Sequence, residues 1–192
     1  MALNGWKIFI DPGHGGKDVG ASYGTVLEKD LTLDIGSRLS NKLRNTYGAS
    51  TKMSRLDDTF LTLDERIAAS NTYGASIFVS VHINAGGGTG VETWVHDNSS
   101  SYANSLALNV NNRLASTLSV TNRGVKKAPS QRGEDIRVVN PAYNKAWALL
   151  PEVLFIDNAT DRAKLQDPAY IQKAADAIAA GIDAFAASLP PM

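Results

Sequence analysis

The chain is predicted to adopt an α/β fold, a single domain with a largely parallel twisted sheet flanked by helices. Three observations predict it. Short β-branched and aromatic runs alternate with longer segments of helical periodicity. The 192 residues suffice for one medium domain with a sizeable core. No internal repeat or shift in composition marks off a second domain. Residues 1–187 are assigned to this domain, and 188–192, which include "LPPM", to a disordered tail or linker stub.

The elements follow in order. "WKIFI" (6–10) has the β-branched and aromatic content of a buried strand. From Glu28 to Tyr47, Leu31, Ile35, Leu39 and Leu43 recur at every fourth position and mark one helical face, with Gly48 placed to stop the helix. "TKMS" (51–54) reads as a short strand. In "TLDE" (62–65) Thr62 and Glu65 form a capping box, opening a helix that ends near Gly74. "SIFVSVH" (76–82) is almost continuously apolar, as expected of a central strand covered on both faces. A glycine-rich loop, "NAGGGTG", leads to a strand "VETWVHD" (91–97). Ser101 to Leu118 carries Leu106, Val110 and Leu114 at helical spacing. Residues 119–135 are polar, with clustered basic side chains and little periodicity, and are expected to form a long loop. "IRVV" and "WALLPEV" read as two further strands. Pro168 suits the first turn of a last, alanine-rich helix, where its missing N–H costs nothing, and the helix runs to about Ala187.

Composition narrows the function. Basic and acidic side chains balance at 19 each, so no broad attraction to nucleic acid or anionic lipid is expected. There is no cysteine, so a metal site must be built from histidine and carboxylate. No apolar stretch approaches the ~20 residues needed to span a bilayer, so no membrane insertion is expected. The first residues lack the charged region and cleavage site of a signal peptide.

In open α/β sheets ligands gather beyond the carboxyl ends of the strands. His14, in "IDPGHGG", follows the first strand; His82 closes the strand 76–82; Glu152 comes late in "WALLPEV". Glu28 begins the first long helix, and the glycine-rich connection before it can return it to the same edge. Taken singly, each has an ordinary explanation: a turn histidine, a strand-end histidine, a helix-start carboxylate favoured by the dipole, a strand-end glutamate that bends out to water or pairs with a nearby arginine. Together they make a different pattern. Two histidines and a glutamate are the three-ligand set of a catalytic zinc with one open position. Glu152, set between "ALLP" and "VLFI", is then a carboxylate in apolar surroundings, with a pKa raised into the range useful for moving protons. His96 is expected to be a solvated strand-end residue, and Glu92 to pair with a basic neighbour.

These motifs, in this order, carry a resemblance. "IFIDPGHGGKDVGA", Glu28 in "EKDLTLDI", "SVHINA" and "PEVLFIDN" resemble the zinc-dependent N-acetylmuramoyl-L-alanine amidases of the type-3 amidase family, which includes bacterial cell-wall hydrolases and endolysin catalytic domains. The likeness extends from about Lys7 to about Phe185 and takes in "SRLDD", "LDERIAASN", "GVETWV" and "NRGVKKA". It implies that His14, Glu28 and His82 bind one Zn2+, that Glu152 is the catalytic carboxylate, and that Asn84 shapes the substrate groove. The implied substrate is peptidoglycan, cut between N-acetylmuramic acid and L-alanine. A zinc peptidase cutting within the stem peptide is the nearest alternative, and a non-catalytic wall-binding module a more distant one. A lysin or autolysin of this kind acts on the bacterial wall, with release by lysis or another non-classical route expected, and a C-terminal wall-binding domain can have stood beyond "SLPPM".

Two departures from the family pattern stand out. Leu154 occupies a position, two residues after Glu152, where the family commonly has glycine, and Pro151 interrupts the strand directly before Glu152. The stretch before that strand also carries the extra segments "PSQRGED" and "NPAYNKAW", an expected determinant of which wall is recognised.

Overall fold

Six strands form one sheet in the computed structural model, which describes residues 3–189. The chain begins with β1 (Lys7–Pro12), a two-stranded hairpin of β2 (Ser22–Tyr23) and β3 (Val26–Leu27), and α1 (Glu28–Tyr47). Next come β4 (Ser50–Met53), α2 (Leu63–Tyr73), β5 (Ile77–Asn84) and β6 (Val91–His96). It closes with α3 (Ser101–Leu118), β7 (Asn122–Ala128), a 3-10 turn (Arg137–Val139), β8 (Trp147–Phe155), α4 (Ala159–Leu165) and α5 (Pro168–Ala187). The predicted α/β class and largely parallel sheet are what the structure shows. Of the expected tail, residues 190–192 lie outside the described residues, while Leu189 packs against the core.

The order across the sheet is β4-β1-β5-β8-β6-β7, with only the β6–β8 pairing antiparallel. Loop length explains that reversal. A parallel crossover needs roughly a dozen residues, and the short glycine loop between β5 and β6 is too brief for one, so β6 turns back. β8 then enters between them, parallel to β5.

Alternation along the strands divides the core into two layers. Ile8 and Ile10 of β1, with Ile77, Val79 and Val81 of β5, face α1, α3 and α5. Phe9 and Phe78, stacked with centroids 5.8 Å apart, face the other way, toward α2 and the 3-10 turn. Both sheet faces are covered, which is why these strands read as continuous apolar runs.

Two sequence expectations fail here. Residues 122–128, expected within a loop, form β7; an edge strand pairs on one side only, so "NRGVKKA" needs no apolar alternation. "IRVV", expected as a strand, is the 3-10 turn, with Val138 and Val139 both buried beneath the sheet. A short apolar run does not distinguish the two. The hairpin β2–β3 and the helix α4 are additions that periodicity did not mark.

Pro151 lies inside the sheet, on β8 between β5 and β6. Past it, the β5–β8 register slips between His82 and Asn84, and Leu154 takes φ +66°. That is left-handed backbone, costly for leucine at roughly 1–2 kcal/mol, at the position where the sequence resemblance leads one to expect glycine. Leu154 is buried, and its packing offsets that cost. The usual order of small residues should therefore invert: Leu154→Ala and Leu154→Gly both destabilise, but the glycine variant is the more stable by about 1 kcal/mol in urea melts.

Candidate metal centre and catalytic cleft

The first candidate, His14, sits in the turn after β1 with φ +62°, a left-handed conformation that histidine tolerates better than most side chains. Gly15 and Asp18 close this turn by exchanging backbone hydrogen bonds, at 2.8 and 3.1 Å. Two buried arginines hold its carbonyls. Arg55 donates to the carbonyls of Pro12 (3.1 Å) and Gly13 (3.0 Å), and Arg66 to those of Pro12 (2.8 Å) and His14 (2.7 Å). Arg66 is neutralised by Asp11 at 2.7 Å, whose carboxylate also accepts from Ser54 and Ser80. Buried charges require such pairing. This positioning framework escaped sequence reading: "SRLDD" and "LDERIAASN" contain both arginines, but nothing in their spacing distinguishes a buried guanidinium from a solvated one.

Glu28 is the first residue of α1, delivered by the hairpin β2–β3. Its side chain leaves the helix end and turns into the site. Oε2 accepts from the Ala21 N–H at 2.8 Å and Oε1 from the Ile83 N–H at 2.9 Å. His82, on β5, completes the cluster. Nε2 of His14 and Nδ1 of His82 approach the same Oε1 of Glu28, at 3.2 and 3.1 Å. The imidazoles meet edge to face, with centroids 4.9 Å apart. Asp18 Oδ1 stands 3.0 Å from Nδ1, the other ring nitrogen of His14.

The three donor atoms lie within 4.8 Å of one another. A carboxylate oxygen cannot donate, so two ring nitrogens converging on it call for protons or a shared cation between them. Two imidazoles and a carboxylate match the donor set of a catalytic zinc. Burial opposes the charge of Glu28, yet hydrogen bonds from His14 and His82 outweigh it and hold the carboxyl far below the usual range. An anionic glutamate is the form that binds metal.

Glu152 lies opposite His82 in the β5–β8 register and opposite Glu92 in the β6–β8 register. Its Oε2 is shut off from solvent and has no hydrogen-bond partner among the described residues. Burial, with the nearby charges of Glu28 and Glu92, pushes its pKa up to about 7 against the opposing pull of His82 and Arg132.

His14, Glu28, His82, Asn84 and Glu152 line one cleft of about 450 Å³. A second cavity of about 300 Å³ shares His14 and His82 but not Glu152, and is lined by Phe60, Leu61 and Leu63. Asn84 lines the cleft with its amide already engaged: Nδ2 donates to Glu92 at 2.9 Å and Oδ1 accepts from the Ala85 N–H at 2.8 Å. Glu92 has the basic neighbour expected of it, Arg123 at 2.7 Å, and also accepts from Trp94. His96 differs from expectation. It is buried, Nδ1 accepts from the Asn98 N–H at 3.0 Å, and Nε2 lies 3.5 Å from Asp135.

The sequence matches the N-acetylmuramoyl-L-alanine amidase family over residues 8–184. It is 41% identical to the N-acetylmuramoyl-L-alanine amidase LytC of Bacillus subtilis, an alignment covering 91% of this chain and 34% of LytC. It is 36% identical to the sporulation-specific N-acetylmuramoyl-L-alanine amidase of the same organism, over 92% of this chain and 67% of that one. The fold superposes on the crystal structure of N-acetylmuramoyl-L-alanine amidase from Clostridium difficile 630 with a TM-score of 0.88 at 31% identity, covering 96% of this chain and 98% of that one. The family match spans nearly the whole sheet and every residue of the histidine–glutamate cluster, and the chain belongs to the N-acetylmuramoyl-L-alanine amidase family.

Proposed function

We propose that this chain is a peptidoglycan hydrolase that cleaves the amide between N-acetylmuramic acid and the L-alanine of the stem peptide, with residues 1–187 as its catalytic unit. The observation that supports it best is the convergence of His14, Glu28 and His82 within the cleft that also holds Glu152, whose buried Oε2 has no hydrogen-bond partner among the described residues. His14, Glu28 and His82 would hold one Zn2+. When bound, that ion supplies a Lewis acid to polarise the amide carbonyl and to acidify water.

The chain's own residues do the rest. Glu152 takes the proton of the attacking water and returns it to the departing alanine nitrogen, which leaves as a neutral amine. A carboxyl with a pKa of about 7 accepts and releases a proton with little bias near neutrality. Arg55 and Arg66 fix the turn that aims His14. Asn84, its amide committed to Glu92 and its own loop, shapes the wall of the groove.

Purified protein is expected to carry one zinc and to lyse cell walls, and a chelator should abolish lysis until zinc is restored. Product analysis should find new alanine amino termini and free muramoyl groups. New termini inside the stem would instead identify a zinc peptidase, and lysis indifferent to chelation would overturn the metal assignment.

A further inference from the structure

We propose that Arg132 binds a carboxylate of the stem peptide, so that the peptide arm of the substrate lies in the cleft with Glu152 and the sugar arm in the neighbouring cavity. This rests on the role given to Glu152 above. The group that protonates the leaving nitrogen must stand on that nitrogen's side of the bond. Glu152 lines the larger cleft and not the second cavity, so the peptide departs through the cleft. A peptide ends in a carboxylate, whereas a muramoyl sugar in amide linkage carries no charge. The second cavity suits the uncharged arm, with Phe60, Leu61 and Leu63 in its lining.

Two arginines line the cleft. Arg137 is turned aside, with Nε 2.6 Å from Asp64 and its guanidinium 4.0 Å over the Tyr143 ring. Arg132 engages through Nε alone, 3.2 Å from the exposed Glu134, a surface pair of little strength. Its two Nη groups have no hydrogen-bond partner among the described residues. The guanidinium carbon stands 5.6 Å over the Trp94 ring, and Trp94 is itself fixed by donating to Glu92 at 3.2 Å.

The loop that carries Arg132 is built to hold it. Ser130 gives both its N–H and its hydroxyl to Asp97, at 2.9 and 2.6 Å, and the Gly133 N–H donates to the Pro129 carbonyl at 2.7 Å. A planar fork with two free donors, seated on an aromatic face, is suited to bidentate carboxylate binding. This loop lies in the stretch between β7 and β8, beside the cleft.

The test compares a soluble muramoyl peptide with the same peptide whose carboxylates are converted to carboxamides. Wild type should show a KM lower by about tenfold or more for the acid. Arg132→Gln should raise KM for the acid to the level of the amide and leave the KM of the amide unaffected, while any change in kcat, through the lost pull of Arg132 on Glu152, is the same for both substrates; Arg132→Lys should recover part of the KM difference. Equal effects of Arg132→Gln on the KM of both substrates, a change confined to kcat, or no effect would overturn the proposal. If wild type cleaves neither substrate at the muramoyl–alanine bond, the underlying amidase reading has failed instead.

Discussion

Glu152→Gln is expected to lower wall hydrolysis by ~10²–10⁴-fold while zinc content stays at the wild-type level. Glutamine keeps the size of the side chain but neither accepts nor returns a proton. The same substitution has a second signature, in stability. Glu152 is held at a pKa of about 7 by burial first, and by the charges of Glu28 and Glu92. An unfolded glutamate ionises near 4.3. As pH rises from there toward 7, the unfolded chain releases its proton and the folded chain keeps it, so wild type loses stability across that window and levels off above it. The loss amounts to at most about 4 kcal/mol. Metal-free Glu152→Gln lacks this dependence, and its stability relative to wild type should climb between about pH 4 and 7. Urea melts at several pH values measure it; parallel curves would remove Glu152 from its assigned environment, and full lysis by the variant would remove it from the chemistry.

Gly13→Ala should weaken metal binding by at least ~100-fold although residue 13 is not itself a ligand. A Cβ built there falls on the His82 imidazole. Gly13 does not share the positive φ of Gly15 and Gly16, so alanine fits its backbone and the collision with His82 is the whole effect. Rotating that ring away breaks the pair of nitrogens facing Glu28, leaving two donors where there were three. Zinc titration followed by calorimetry reads the change. Gly13→Ala and Glu152→Gln should thus both be inactive for opposite reasons, one without metal and one with it. A Gly13→Ala protein that binds zinc normally would show that His82 is not held where the structure places it.

The four longer helices were legible almost to the residue because their signals are local, whereas the short α4 was not. Gly48 closes α1 in the left-handed conformation, Ser100 caps α3 through the Ala103 N–H, and Pro168 opens α5. The capping box of Thr62 and Glu65 is present with both of its hydrogen bonds. The four candidate residues were legible as a set, since a parallel sheet brings its strand ends to one edge whatever their separation in sequence. What stayed hidden depends on partners distant in the chain. β7 is polar because it lies at the edge. His96 is buried because the segment around Asp135 reaches it. Arg55 and Arg66 are buried because carbonyls of the turn after β1 await their N–H groups, and carbonyls leave no trace in a sequence. Leu154 is the informative departure: a missing glycine, noticed as a letter, corresponds to a strained backbone in the strand that carries Glu152.

The outer flank of β7 has a bearing on solubility. An unpaired strand edge is a template for another chain, yet here the loop that follows it and the strand's own side chains take up the free backbone groups. The Gly124 N–H goes to Asn122, the Lys127 N–H to the Gln131 side chain, and the Lys127 carbonyl accepts from the Gln131 N–H. Lys126 and Lys127 add like charge to the same strand. Gln131, which does this sealing, is the neighbour of Arg132. One loop therefore both guards the sheet edge and lines the cleft, so a substitution that reshapes its cleft side also risks exposing a sticky edge, and the two sides of the loop are constrained to change together.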